Sequence, residues 1–142
     1  MNLFKQLKAG WYFLRRKYFP TKKEFVSKGE ALIGSWLKYS NCKFDKQYFV
    51  YIPELNSKTN SVYIDFMVTK PNGDKVAIEY NGRQHYDYVP YFHKGGVTDL
   101  FKQQKRDKLV KEWCEKHNIQ FLEIPYNYKT DDIVNVLKEN FR

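Results

Sequence analysis

Two cysteines are all that the 142 residues contain, and Cys42 and Cys114 stand far apart with no Cys-x-x-Cys or Cys/His cluster around them. That excludes a disulfide framework and a zinc site of the usual spacing, and it suits a reduced compartment better than secretion. No apolar run approaches the ~20 residues that a membrane-spanning helix needs. The interrupted apolar positions near the N-terminus, followed by Arg15-Arg16-Lys17, read unlike a signal peptide. The expectation is a soluble protein of the cytoplasm, or of the nucleus in a host that has one, with no membrane partner. Acid is also short: 16 Asp and Glu stand against 25 Lys and Arg, a net charge of +9. Such a surface attracts an extended polyanion before specific contacts form, so nucleic acid is the first partner to consider. Membrane surfaces and acidic proteins share that attraction. Aromatics are the surplus, at 18% with 12 Tyr and 11 Phe, enough either to fill a core or to stack on bases.

No repeat, low-complexity tract or linker divides the chain, and its length supports one core. Leu3, Phe4, Leu7, Trp11, Leu14 and Tyr18 fall at helical spacing among Lys5, Lys8, Arg15, Arg16 and Lys17. This predicts a basic amphipathic helix, set apart as residues 1–24 from a compact domain over 25–142. Ser27-Lys28-Gly29-Glu30 has the capping-box pattern and opens a second helix with Ala31, Leu32, Ile33, Trp36 and Leu37 on its apolar face. Strands are predicted over 47–52, 62–68 and 75–80, a helix capped by Thr98 runs to about 117, a strand covers 119–124, and Thr130-Asp131-Asp132 caps a last helix. This order predicts an α/β domain with a mixed central sheet flanked by helices.

The chemistry centres on two strands joined by Pro71-Asn72-Gly73-Asp74, where Asn-Gly suits a two-residue turn. A hairpin closed at 72 and 73 sets Asp65 opposite Tyr80, next to Glu79, and a slip of one residue makes the carboxylates direct partners. Two carboxylates at one end of a hairpin repel unless a cation sits between them. Surface charge on half-exposed strands is the plainer alternative for an isolated pair. Beside Glu79, His85 can exchange a proton near neutrality; His93 and His117 lack such neighbours and are expected at the surface. Asp107 shares a helical stripe with Leu100, Gln104, Val110 and Cys114, and would pair with His85 or, more simply, with Lys111 or Arg106.

The run Glu79-Tyr80-Asn81-Gly82-Arg83-Gln84-His85-Tyr86, preceded by the strand bearing Asp65, resembles the PD-(D/E)XK, or restriction-endonuclease-like, superfamily, in particular the branch near very-short-patch repair endonucleases and phage and large-virus homing-type nucleases. Tyr91-Phe92-His93, Phe101, Gln104, Asp107, Lys108, Trp113-Cys114 and 119–126 extend the likeness over residues 25–127. The resemblance implies a restriction-endonuclease-like core and a metal-dependent endonuclease acting on DNA. Asp65, Glu79 and the carbonyl of Tyr80 would hold Mg²⁺, with Mn²⁺ able to substitute. Glu30 would match an acidic residue of the first core helix, Gln84 and His85 the orienting or proton-transferring groups, and Asp107 an acid on the helix after the site. Founding members carry lysine where Asn81 stands, which leaves Gln84, His85, Lys105 or Lys108 to act on the water. Cutting both strands would call for a homodimer or a recognition partner. The alternatives are a nucleic-acid-binding module without chemistry and an assembly subunit on the same fold.

Overall fold

The computed structural model describes residues 27–142; the predicted helix over 2–18 lies outside the described residues. Helix α1 (Lys28–Tyr39) begins as its sequence dictates, with Ser27 at the N-cap accepting the Glu30 N–H at 3.1 Å. It is followed by β1 (Lys43–Tyr51), β2 (Ser61–Thr69), β3 (Lys75–Asn81), α2 (Val97–Lys116), β4 (Gln120–Pro125) and α3 (Thr130–Phe141), with single 3₁₀ turns at Pro53–Leu55 and Arg83–His85. The sheet order is β1-β2-β3-β4. The first three strands form an antiparallel meander, and β4 joins β3 in parallel after the α2 crossover. The chain is therefore α/β with a mixed four-stranded sheet.

Two apolar clusters sandwich that sheet. On one face Phe66, Val68, Val76, Ile78 and Ile124 pack against Ile33 and Leu37 of α1 and Ile133 and Leu137 of α3. On the other, Val50, Val62, Ile64, Met67 and Ala77 pack against Val110 and Cys114 of α2. Burial on both faces explains why β2 and β3 read as near-continuous apolar runs. The fully buried Ile33, Leu37, Ile64, Ile78 and Leu137 each contribute on the order of 1.5–3 kcal/mol of burial.

Three boundaries differ from expectation. Strand β1 starts at Lys43, four residues early. It is an edge strand whose exposed Lys43, Asp45 and Lys46 carry no apolar run to reveal it, yet all four added positions pair with β2. Helix α2 is capped by Gly96, at φ +89°, while Thr98 Oγ1 reaches back to the Gly95 carbonyl at 3.1 Å. For α3, Lys129 is the N-cap and Asp132 accepts its N–H at 3.0 Å.

The turn between β2 and β3 decides the site. Lys70 N–H donates to the Asp74 carbonyl at 2.7 Å and Gly73 N–H to the Lys70 carbonyl at 2.9 Å, with Gly73 at φ +92°. Three residues, 71 to 73, therefore close the hairpin in place of two. Pro71 presets the first backbone angle, and the glycine takes the left-handed third position. The partners are Phe66 with Ile78 and Val68 with Val76. One step further along that register sets Asp65 across from Glu79.

Candidate active site

Beyond Phe66 and Ile78 the β2–β3 ladder stops, although both strands continue. At the first position past this gap Asp65 Oδ2 accepts the Tyr80 N–H at 2.9 Å, a side chain standing in for the missing backbone partner. The opening between the strands leads to a cavity of about 160 Å³ lined by Glu79, Asn81, His85, Gln103, Arg106 and Asp107, with Val62, Tyr63, Val110 and Phe121 as walls. Splayed strands thus convert a packed sheet into a polar recess.

Burial pushes the Asp65 carboxyl above the ordinary carboxylate range, opposed by the Tyr80 N–H and by hydrogen bonds with Glu79 and Gln47. Glu79 is pushed well above that range, first by burial and then by the negative charge of Asp65. Such a pair shares a proton unless a cation takes its place. Glu30, on α1, is pushed up to about 7 by burial and by Asp65, while Lys46 pulls the other way. Lys46 Nζ would lie 3.5 Å from a Cβ on Gly34, so the lysine runs along α1 one turn beyond Glu30.

The second half of the site is a hydrogen-bonded cluster around His85. His85 Nδ1 lies 2.8 Å from Asp107 Oδ2, a pair across 22 residues of sequence. Gln103 Nε2 sits 3.3 Å from His85 Nε2, and Gln104 Nε2 reaches the His85 carbonyl at 3.5 Å. Of the partners open to Asp107, the structure selects His85. Asn81 is buried and donates its amide to Glu123 of β4. Gln84 lies outside the cavity lining, folded back so that a Cβ on Gly82 would meet its Oε1 at 2.4 Å. Glu79, His85 and Asp107 therefore line one recess, with Asp65 beside Glu79 and bonded to the Tyr80 N–H just behind it, Glu30 on the α1 side of Asp65, and Gln84 outside the lining.

A divalent ion can be tested against this donor set. Among the described residues no group of three or more His, Cys, Asp and Glu side chains is placed to hold a metal ion. Two adjacent half-buried carboxylates suit a hard cation such as Mg²⁺, which is commonly held by one or two carboxylates and keeps several waters. The chemistry of the donors fits; the number of protein ligands is small.

No family model matches the chain, and no solved structure does. It is similar to three viral proteins. Against Uncharacterized protein 094L of Frog virus 3 it is 51% identical over 65 residues, 46% of this chain and 41% of that protein. Against Uncharacterized protein 307L of Invertebrate iridescent virus 6 it is 43% identical over 56 residues, 39% and 27% of the two chains. For Uncharacterized protein 033L of Invertebrate iridescent virus 3 the figures are 36% over 58 residues, 41% and 29%. The matched part spans less than half the length of each relative.

Sequence reasoning missed two residues. Gln47 stands opposite Asp65 on β1, holds φ +50°, and donates its amide to Asp65 Oδ1 at 3.4 Å. A non-glycine residue in that conformation inside a strand carries strain of about 1–3 kcal/mol, a cost concentrated at functional positions. Nothing in the local sequence signals it. His93, expected at the surface, is 2% exposed because its Nδ1 accepts the Val89 N–H at 2.9 Å and Tyr88 stacks on its ring. Among the described residues no helix is long and apolar enough to cross a membrane.

Proposed function

We propose that the protein is a Mg²⁺-dependent DNA endonuclease with a restriction-endonuclease-like core, in which Mn²⁺ can substitute. The observation that carries this reading is the apposition of Asp65 and Glu79 where β2 parts from β3, with the His85–Asp107 pair on the far wall of the same recess. Asp65 and Glu79 would hold the ion, beside the Tyr80 peptide, and when bound it neutralises charge developing on the scissile phosphate and acidifies a nearby water. Asp107 fixes the imidazole of His85 through Nδ1, which turns Nε2 toward a water molecule entering the recess. The water oxygen attacks phosphorus, its proton passes to His85 Nε2, the bond from phosphorus to the 3′ oxygen breaks, and the departing 3′ oxygen takes a proton from solvent water. The products are a 5′-phosphate and a 3′-hydroxyl. The Gln103 amide near Nε2 limits rotation of the ring, and the net charge of +9 draws the polyanion in. Glu30 tunes the carboxylate pair from the α1 side.

One observation favours a binding module without chemistry: Asn81 fills the position of the founding lysine and is engaged with Glu123. Supercoiled plasmid incubated with Mg²⁺ or Mn²⁺ separates the two. Nicking that disappears in Asp65→Ala and Glu79→Ala supports the enzyme. Retained DNA binding with no nicking in either ion, unchanged by those substitutions, sinks it.

A further inference from the structure

Nine large hydrophobic side chains stand exposed among the described residues, and eight of them fall in two short stretches: Tyr86, Tyr88, Tyr91, Phe92, Val97 and Phe101 in one, Tyr126 and Tyr128 in the other. Both stretches leave the site end of the sheet. The first follows His85 directly, and the second follows β4, whose Tyr126 N–H donates to the Asn81 carbonyl at 2.9 Å. The Tyr86 and Tyr126 rings meet at 6.1 Å, so the stretches join beside the recess. Tyr91, Phe101 and Phe92 are 78%, 62% and 57% exposed.

An apolar surface of this kind usually marks a partner. Seven of the eight residues are aromatic and only Val97 is aliphatic; such rings serve protein interfaces as well as base stacking, and the charge around them, on a chain of net charge +9, favours a polyanion. Exposed Lys94 lies between the rings in sequence and Lys102, Lys105 and Lys129 flank them, while Arg83 is paired with Asp87 at 3.4 Å. Aromatic faces beside cations suit unpaired nucleotides, the rings stacking bases and the cations meeting phosphates. Paired bases in a duplex keep their faces covered.

The loop is also built to hold its rings outward. Buried His93 accepts the Val89 N–H through Nδ1 and stacks under Tyr88, while the N–H groups of Phe92 and His93 both return to the Val89 carbonyl at 3.0 and 2.9 Å. Gly96 N–H closes the far side on the His93 carbonyl at 3.0 Å. A loop fixed in this way loses little entropy when it binds.

From these observations we infer that the stretch from Tyr86 through the start of α2 at Phe101 and the Tyr126–Tyr128 segment form a platform for unpaired DNA bases, so that the substrate class is single-stranded DNA or duplex interrupted by unpaired nucleotides. This deepens the nuclease reading and rests on it for the word substrate, yet the platform is tested without catalysis. Fluorescence anisotropy of the full chain with chelator present compares a labelled 12-nucleotide single strand with the blunt duplex of the same sequence. The single strand binds about tenfold tighter. Tyr91→Leu combined with Phe92→Leu lowers single-strand affinity about tenfold and duplex affinity little, Tyr91→Phe keeps it, and circular dichroism shows the variants folded. His93→Gln lowers it less.

Equal affinity for both ligands, or leucine variants that bind as well as the parent, overturns the platform, as does photo-crosslinking from position 91 into residues 1–26 or a second copy of the chain. Platform and nuclease fail separately. Single-strand binding by a protein that cuts nothing in Mg²⁺ or Mn²⁺ retains the platform alone; metal-dependent nicking without single-strand preference retains the nuclease alone.

Discussion

At the scale of single residues, the site is a balance of uncompensated charge. Glu79→Gln removes one of two facing carboxylates, and nicking should fall about 100-fold or more. The same variant should melt higher than the parent in metal-free buffer at pH 8. The Glu79 carboxyl is raised in the folded state, so its contribution to stability is fully present below its unfolded value and lost as pH rises through the folded value. Melting curves at pH 5 and pH 8 that shift equally would contradict this. Gln47→Gly relieves the φ +50° backbone and should add up to about 1 kcal/mol of stability. Because it also deletes the amide on Asp65, it should raise the Mg²⁺ concentration needed for half-maximal nicking. Titrating the ion separates that effect from a simple loss of fold. Asp107→Asn leaves a neutral group beside His85 Nδ1 and should cost about 10- to 100-fold in rate, as loss of an orienting partner does; an unchanged rate would remove His85 from the mechanism.

Among the elements, α1 approaches β3 closely at one point. A Cβ on Gly29 would lie 2.2 Å from the Tyr80 ring, so either the ring or the helix would have to shift. Gly29→Ala should therefore destabilise by about 1–3 kcal/mol and carry Glu30 away from Asp65, which chemical denaturation and the nicking rate report together. The sequence announces little of this, because glycine near a helix start reads as permissive, not as space for a ring from another element. Other elements were legible. The apolar runs of β2 and β3, the Ser27 cap and the crossover helix all follow from pattern and capping chemistry; Asp65 beside Glu79 follows from the hairpin, while the pairing of Asp107 with His85 is one of the alternatives its helical stripe leaves open. What pattern could not supply was long-range: the early start of β1, visible only through its pairing with β2; the left-handed Gln47, whose reason is the carboxylate across the strand; and the burial of His93 within its own loop. The three-residue turn was missed because Asn-Gly also suits two residues, and Pro71 decides between them only once the backbone is seen.

For the whole molecule, stability and ion binding should be linked through pH. Glu30 rises from 4.5 to about 7 on folding, so the metal-free protein should lose stability as pH climbs across that window and level off above it. Glu30→Gln should flatten that part of the profile. Added Mg²⁺ should raise the melting temperature more at pH 8 than at pH 5, since protonated carboxylates do not hold a cation; equal shifts would argue that the ion binds elsewhere. The strand order has a further consequence, for the sequence of events in folding. The three-stranded meander closes through local antiparallel connections, the β2–β3 turn bringing Asp65 and Glu79 together early, whereas His85 meets Asp107, 22 positions on, only after the following loop has closed and α2 has formed. On the nuclease reading proposed above, the chain gathers its acidic pair before its base, and a half-folded copy would attract cations without cutting.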